Sequence, residues 1–291
     1  MNQAATLRSL AEGHAARLPA LMADAENLAA TVMLGSHGRR RSGMGDEFWQ
    51  YRPAAPGDPA RLIDWRRSAR SDANFVQEKE WQAAQSVLIW SDDAQSMGFS
   101  SAPDLPSKAG RARVLALASA ILLIRGGERV ALADADARPR QGEIQLAHIA
   151  DGLCSDGHQN EYGAPDISGA LANSRVLFLS DFLGDIAPVT MQLTRAADQG
   201  VKGSLVHILD PQEEAFPFDG RTIFESMGRS VAHETLKASD LRQRYLDRLA
   251  KRKDELQTLA QRTGWQYHCH HTSVTAQSAL LWIYTALERA H

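Results

Sequence analysis

The segment IWSDDAQSMGF places two carboxylates and a hydroxyl directly after an apolar run of residues. Asp92, Asp93 and Ser96 carry these groups. Carboxylate and hydroxyl oxygens are the ligands that Mg²⁺, Mn²⁺ and Ca²⁺ prefer in proteins. The spacing therefore indicates either a cation site at the end of a strand or aspartates that cap the helices that follow.

Two later apolar segments, RVLFLSD and GSLVHILD, also end in aspartate, at Asp181 and Asp210. In an open doubly wound sheet, ligands bind beyond the carboxyl ends of the strands, at the point where the strand order reverses. If the order is 3-2-1-4-5-6, the first and fourth strands are neighbours at that point. The oxygen donors that would meet there are Asp92, Asp93, Ser96, Asp181 and Asp185.

The elements that would position these donors alternate along the chain from Ser86 onward. Apolar runs predict strands at 86–90, 129–134, 175–181, 203–209 and 265–271. Helical spacing predicts helices at 108–125, 145–152, 188–199 and 276–289, and a long helix that Ser239 caps and Gly264 ends. This alternation predicts an α/β fold with a doubly wound, mostly parallel sheet of the Rossmann type.

Changes in composition divide the chain into three segments. Residues 1–34 have the spacing of N-terminal amphipathic helices, and residues 35–85 form an irregular segment that is rich in arginine and tryptophan and contains short strands. Residues 86–291 form the α/β domain. The first two segments therefore elaborate a single sheet domain.

The bulk composition excludes several classes of function. The 291 residues carry 32 basic and 35 acidic side chains, a net charge of −3, so no global field attracts nucleic acid. The longest apolar run, VLALASAILLI, is shorter than the roughly 20 residues that span a bilayer, so no membrane insertion is expected. The N-terminus lacks an apolar signal core, which favours a cytoplasmic protein.

The irregular segment could bind an anionic partner. Between Gly35 and Arg70 it has eight arginines against four acidic residues, with two tryptophans and a tyrosine interleaved. Arginine pairs carboxylate and phosphate groups in a fixed fork, so the segment could hold an acidic partner, or its acids could pair internally and form a structural latch. The candidates for partner binding are Arg52, Asp64, Trp65, Arg66 and Arg70.

Four stretches, GMGDEFWQYRPAAPGDPARLIDWRRSAR, VQEKEWQ, DDAQSM and LSDFL, together resemble the bacterial domain of unknown function family 58. The resemblance runs from about Gly35 to the end of the chain. It implies a von Willebrand factor type A-like sheet with a metal-ion-dependent adhesion site, in which Asp92, Ser96 and Asp181 match three of the Mg²⁺ ligands.

Two of the five ligand positions of such a site lack an oxygen side chain. Ala94 stands where the first serine should be, and the segment GAPDISGAL offers Ala164 or Pro165 where the threonine would fall. Because the number of ligands sets the affinity for hard cations, a weak or absent metal is favoured, and no other cofactor is expected.

The resemblance implies a non-catalytic interaction module whose partner is a MoxR-type AAA+ ATPase, with a role in the assembly or maturation of client proteins. Asp92, Asp93, Ser96, Asp181 and Asp185 would then bind the partner, beside the candidates in the arginine-rich segment. The alternative is a Mg²⁺- or Mn²⁺-dependent phosphoryl or ester hydrolase built on the four aspartates of this set, with Arg66 or Arg70 as a phosphate clamp. The client and the oligomeric state stay open.

Overall fold

The computed structural model describes residues 18–32, 39–43, 47–56, 58–70, 73–133, 138–155, 160–227 and 232–289. The part of the predicted N-terminal helices that precedes residue 18 lies outside this range. The chain forms two compact units. One contains residues 18–32 and the described residues from Ser86 onward, and the other contains the described residues from 39 to 85.

The secondary structure follows the chain in this order. The strands are β1 (Arg39–Gly43), β2 (Glu47–Pro53), β3 (Phe75–Ala83), β4 (Ser86–Ser91), β5 (Arg129–Leu132), β6 (Arg175–Ser180), β7 (Lys202–Leu209), β8 (Thr222–Glu225), β9 (Ala232–Thr235) and β10 (Gln266–His271). The helices are α1 (residues 18–30), α2 (Trp65–Ser68), α3 (Lys108–Arg125), α4 (Glu143–Cys154), α5 (Ile186–Asp198), α6 (Pro211–Ala215), α7 (Ser239–Thr263) and α8 (Ala276–Arg289).

The arginine-rich unit is built on a three-stranded antiparallel sheet of order β1-β3-β2. The central strand, β3, has nine residues and pairs with both of its neighbours. The short helix α2 begins after Asp64, whose side chain accepts hydrogen bonds from the backbone of Arg66 and Arg67. This unit is therefore more regular than the broken, polar sequence indicates.

The larger unit contains a five-stranded, fully parallel sheet of order β10-β7-β6-β4-β5. These are five of the six strands in the predicted order, and β4 and β6 are neighbours as predicted. At the β5 edge, Val130 also forms one isolated antiparallel bridge, to Arg140. The predicted fold class, a doubly wound α/β sheet, is confirmed.

Helices cover both faces of this sheet, which explains why β4, β5 and β6 consist mainly of apolar residues. Val87 and Ile89 point to the face that packs against α1, α3, α4 and α8. Leu88 and Trp90 point to the opposite face, together with residues of α5 and α7. All six residues of β6, the central strand, are buried.

Three features differ from the prediction or were not predicted. Ser239 is already inside α7, so the prediction that it caps this helix is wrong: Ala238 has helical backbone angles, and its N–H is bonded to Gly220 O. The hairpin of β8 and β9 and the one-turn helix α6 were not predicted. No helix in the described part of the chain is both long and apolar enough to cross a membrane.

Candidate functional site

The carboxyl ends of β4, β6 and β7 each carry a buried aspartate. Asp92, Asp181 and Asp210 expose 3%, 1% and 0% of their surface. Parallel strands end at the same edge of a sheet, so these three carboxylates lie at one edge. Buried carboxylates require compensating donors, and the protein itself supplies them here.

Asp92 is held by hydrogen bonds from its own loop and from the neighbouring strand. The backbone N–H of Ala94 donates to Oδ1 over 2.9 Å, and the hydroxyl of Ser180 donates to Oδ2 over 2.6 Å. Burial raises the pKa of Asp92 to about 6, although both hydrogen bonds oppose that shift. Both oxygens of Asp92 therefore already have protein donors.

Lys108 provides a buried cation at the same edge. Its Nζ lies 2.8 Å from Asp181 Oδ2 and 2.6 Å from Glu213 Oε1, and its side chain is 1% exposed. Burial acts to lower the pKa of this ammonium, but the two carboxylates outweigh burial and raise it. Lys108 therefore remains charged, and it is a site residue that the sequence analysis missed.

Helix capping fixes the positions of Lys108 and Glu213 in this ion cluster. Ser107 caps α3 and makes Lys108 its first residue, so the side chain of Lys108 starts at a fixed point. Asp210 and Glu213 form a capping box on α6, in which Glu213 Oε2 accepts from Asp210 N over 2.9 Å. Asp210 also accepts from Ser101 N, which ties the loop after β4 to the end of β7.

The residues implied for a divalent cation do not fit one. Asp92 uses both oxygens for protein donors, and Asp181 uses Oδ2 for Lys108 and Oδ1 for the N–H of Leu183. The backbone of Gly163 lies so close to Asp92 that a Cβ there would overlap the carboxylate. In the described part of the chain, no three His, Cys, Asp or Glu side chains converge as metal ligands do.

The other three predicted oxygen donors differ in their burial and in their contacts. Asp185 is exposed and caps α5, where its Oδ1 accepts from Ala187 N over 3.0 Å. Asp93 is half-buried. Ser96 is buried, and its hydroxyl has no hydrogen-bond partner among the described residues. The structure thus brings Asp92 and Asp181 to the edge within a network of protein donors.

In the arginine-rich unit, two of the five predicted residues make internal bonds. Arg52 forms a two-pronged ion pair with Asp58, at 2.6 and 2.7 Å. This pair and the N–H of Ala55 lower the pKa of Asp58 to about 2. Asp64 caps α2 and also accepts a hydrogen bond from the hydroxyl of Tyr51 over 2.9 Å.

The other three predicted residues of this unit lie on its surface. Trp65 is 60% exposed, and Arg66 and Arg70 are exposed as well. The guanidinium group of neither arginine makes a hydrogen bond or ion pair with any described residue. In contrast, Arg67 stacks on the ring of Tyr51, with its guanidinium carbon 4.2 Å from the ring centroid.

A cleft of about 1010 Å³ lies next to the ion cluster. Lys108 and Glu213 form part of its lining, as does Ser96. Its aromatic lining residues are Phe99, Tyr162, Phe216, Phe218, Phe224 and Tyr245. Sequence reasoning missed this cleft. The run FPF and the phenylalanine of IFES could have indicated it. Aromatic residues that cluster in the sequence after β7 need a common place to pack.

A comparison with models of protein families shows which family this chain belongs to. The model of the family described as Protein of unknown function DUF58 matches residues 50–255. The chain belongs to this family. The predicted resemblance is thereby confirmed, and the matched residues of DUF58 include parts of both structural units.

Other comparisons add little to the DUF58 assignment. The crystal structure of the conserved hypothetical protein BatB from Bacteroides thetaiotaomicron is similar to 70% of this chain and to 98% of its own chain. The two proteins share 13% sequence identity, with a TM-score of 0.37. No curated protein matches the chain.

Loss of the buried ammonium should strongly destabilise this DUF58 protein. In Lys108→Met, the carboxylates of Asp181 and Glu213 remain buried without their cation. We expect the free energy of unfolding to fall by about 3–5 kcal/mol, measured by urea denaturation. Lys251→Met removes an exposed ion pair with Glu255 and should cause no measurable change. Equal stabilities of the two variants would contradict this role of Lys108.

Divalent cations should leave the stability of the wild-type protein unchanged. A ligand that binds only the native state must raise its stability, and the carboxylates that would hold the ion are already bonded to protein donors. We expect the same Tm with and without millimolar Mg²⁺, Mn²⁺ or Ca²⁺ by differential scanning fluorimetry. A rise in Tm that disappears in Asp92→Ala would contradict this expectation.

Replacement of Asp92 by asparagine should remove a pH dependence of stability. The pKa of about 6 lies above the ordinary value of about 3.9, so the native state retains a proton that the unfolded state releases. The stability of the wild type should therefore fall as the pH rises from about 4 to about 6. Asp92→Asn cannot titrate, so we expect its stability to lack this fall, whatever the constant cost of replacing one accepting oxygen by an amide nitrogen.

The control for this pH dependence is Asp185→Asn. Asp185 is an exposed helix cap, and asparagine caps a helix about as well as aspartate, so the stability profile from pH 4 to 8 should match the wild type. Denaturation curves at each pH measure both variants. A profile for Asp92→Asn that parallels the wild type would show that Asp92 does not titrate in this range.

Proposed function

We propose that this chain is a non-catalytic protein-interaction module that binds a MoxR-type AAA+ ATPase. The observation that carries the proposal is the surface of the arginine-rich unit, where Trp65 is 60% exposed beside Arg66 and Arg70. Neither guanidinium group has a bonding partner among the described residues. We call Trp65, Arg66 and Arg70 the tryptophan patch.

Tryptophan and arginine are the residue types that dominate binding energy at protein interfaces. Tryptophan supplies a large apolar area, and arginine pairs carboxylates in a fixed geometry. The tryptophan patch follows the rigid turn that Asp64 and Tyr51 hold, so its side chains start from an ordered backbone. An ordered surface costs less conformational entropy on binding.

We extend the proposal to the carboxyl ends of β4 and β6 in the α/β unit. Asp92, Ser96 and Asp181 are the remnant of a metal-ion-dependent adhesion site, and the ammonium of Lys108 supplies the positive charge beside Asp181. The carboxylates there are engaged by protein donors, which disfavours the metal-dependent hydrolase. The module acts in the cytoplasm, in the assembly or maturation of client proteins.

Capture of the ATPase from the native organism tests the proposal. We expect tagged wild-type protein to retain an AAA+ ATPase of the MoxR type through size-exclusion chromatography. The double variant Trp65→Ala with Arg66→Glu should lose it, because the apolar anchor is removed and the charge is reversed.

The matched control lies on α5 of the other unit. Met191 is 61% exposed and Arg195 is exposed four residues later, so Met191→Ala with Arg195→Glu makes the same chemical change elsewhere. This variant should retain the ATPase. Recovery of no ATPase by the wild type would overturn the proposal. So would turnover of generic phosphate esters with Mg²⁺ or Mn²⁺ that Asp181→Ala abolishes, because it would establish the hydrolase instead.

A further inference from the structure

We infer that the cleft beside the ion cluster binds a short peptide segment of a partner protein. The segment inserts one bulky apolar side chain among the aromatic residues and places a neighbouring carboxylate on Arg244 and Arg248. The inference rests on the proposed function in one respect, that the occupant is a protein. It assigns a second docking site, which lies entirely within the α/β unit and does not involve the tryptophan patch.

The size and lining of the cleft suit a side chain rather than an ion. Its volume of about 1010 Å³ is at the upper end of the range of ligand sites, which is about 300–1,000 Å³. Phe216 stacks on Phe224 with ring centroids 5.5 Å apart, and it packs against the tilted ring of Tyr245 with centroids 4.9 Å apart. These rings support one another, so the apolar wall is formed before any ligand arrives.

The backbone at Phe216 is in an unusual conformation. Phe216 ends α6 in the left-handed region, with φ of 42°, which bulky residues rarely adopt. Conformations of this kind cost free energy and cluster at ligand sites. The same residue contacts Phe218, Phe224 and Tyr245, so the strained position is also the centre of the apolar wall.

A buried hydroxyl without a partner lies in the cleft lining. Ser96 is 8% exposed, and its Oγ has no hydrogen-bond partner among the described residues. An unsatisfied buried polar group is costly, so the packing just beneath the cleft surface is incomplete at Ser96.

The rim supplies charge for an acidic residue of the segment. Arg244 and Arg248 lie one turn apart on α7, both are exposed, and both line the cleft. Neither guanidinium group makes an ion pair or hydrogen bond within the described part of the chain. A carboxylate between them would gain two charge-assisted partners.

Other charges in the cleft exclude a polyanion. Glu225 and Asp247 also line it, and Asp247 already accepts a hydrogen bond from Gln243 over 2.7 Å. Glu213 lines the cleft as well, and it and Asp181 together outnumber Lys108. Nucleic acid or a run of phosphates would meet several of these carboxylates at once, whereas a single acidic residue at the arginines would meet fewer of them.

Peptide libraries test the inference with no ATPase present. The probes are three sets of labelled short peptides, measured by fluorescence polarisation. The first set joins a tryptophan, phenylalanine or leucine anchor to aspartate or glutamate. The second set has lysine in place of the acidic residue, and the third has serine in place of the anchor. We expect the first set to bind about tenfold more tightly than either other set.

Variants locate the site on the protein. Arg244→Glu with Arg248→Glu should weaken binding of the acidic set by about tenfold and should favour the lysine set. Arg262→Glu, on the same helix but outside the cleft, should leave binding unchanged. A circular dichroism spectrum and an unchanged Tm confirm that each variant is folded.

Three results would overturn the inference. They are no binding by any peptide set, equal binding by the wild type and the double arginine variant, and a concentration-dependent dimer that the same variant abolishes. The last result would identify a second copy of the chain as the occupant. The ATPase capture is a separate readout, because it depends on Trp65 and Arg66 and not on the arginines of α7.

Discussion

The buried ammonium of Lys108 organises the carboxyl edge of the parallel sheet. It joins three elements that are far apart in the chain: the start of α3, the end of β6 through Asp181, and α6 through Glu213. Burial of three charged groups is costly, and only their close mutual contact offsets that cost. These contacts hold the three elements in fixed positions. They therefore also fix the part of the cleft wall that Lys108 and Glu213 form.

The sheet and the position of its edge could be predicted because they depend on short-range patterns. A strand that is covered on both faces is mainly apolar, and the middle of β6, Val176 to Leu179, is apolar without interruption. Strands joined by helices must run parallel, so the aspartates that follow them must meet at one edge. The convergence of Asp92 and Asp181 required no knowledge of their partners.

Those partners could not be predicted, because they depend on contacts between distant residues. Lys108 lies 73 residues from Asp181 and 105 from Glu213, and a lysine in the first turn of a helix is ordinarily solvated. The aromatic wall is equally non-local, since Phe216, Phe224 and Tyr245 lie on three elements. In the arginine-rich unit, the spacing of residues in the sequence could not show that Arg52 pairs with Asp58 whereas Arg66 is exposed.

The position of Lys108 limits how a partner can bind at this edge. In an adhesion site of the metal-dependent kind, a carboxylate of the partner completes the coordination of the ion, so the ion contributes to affinity. Here the ammonium already contacts two carboxylates, and its side chain is 1% exposed. A third carboxylate would face the negative charge of Asp181 and Glu213 at short range, which opposes binding. Affinity for the proposed segment must therefore come from the apolar wall of the cleft and from Arg244 and Arg248, whose guanidinium groups have no partner among the described residues.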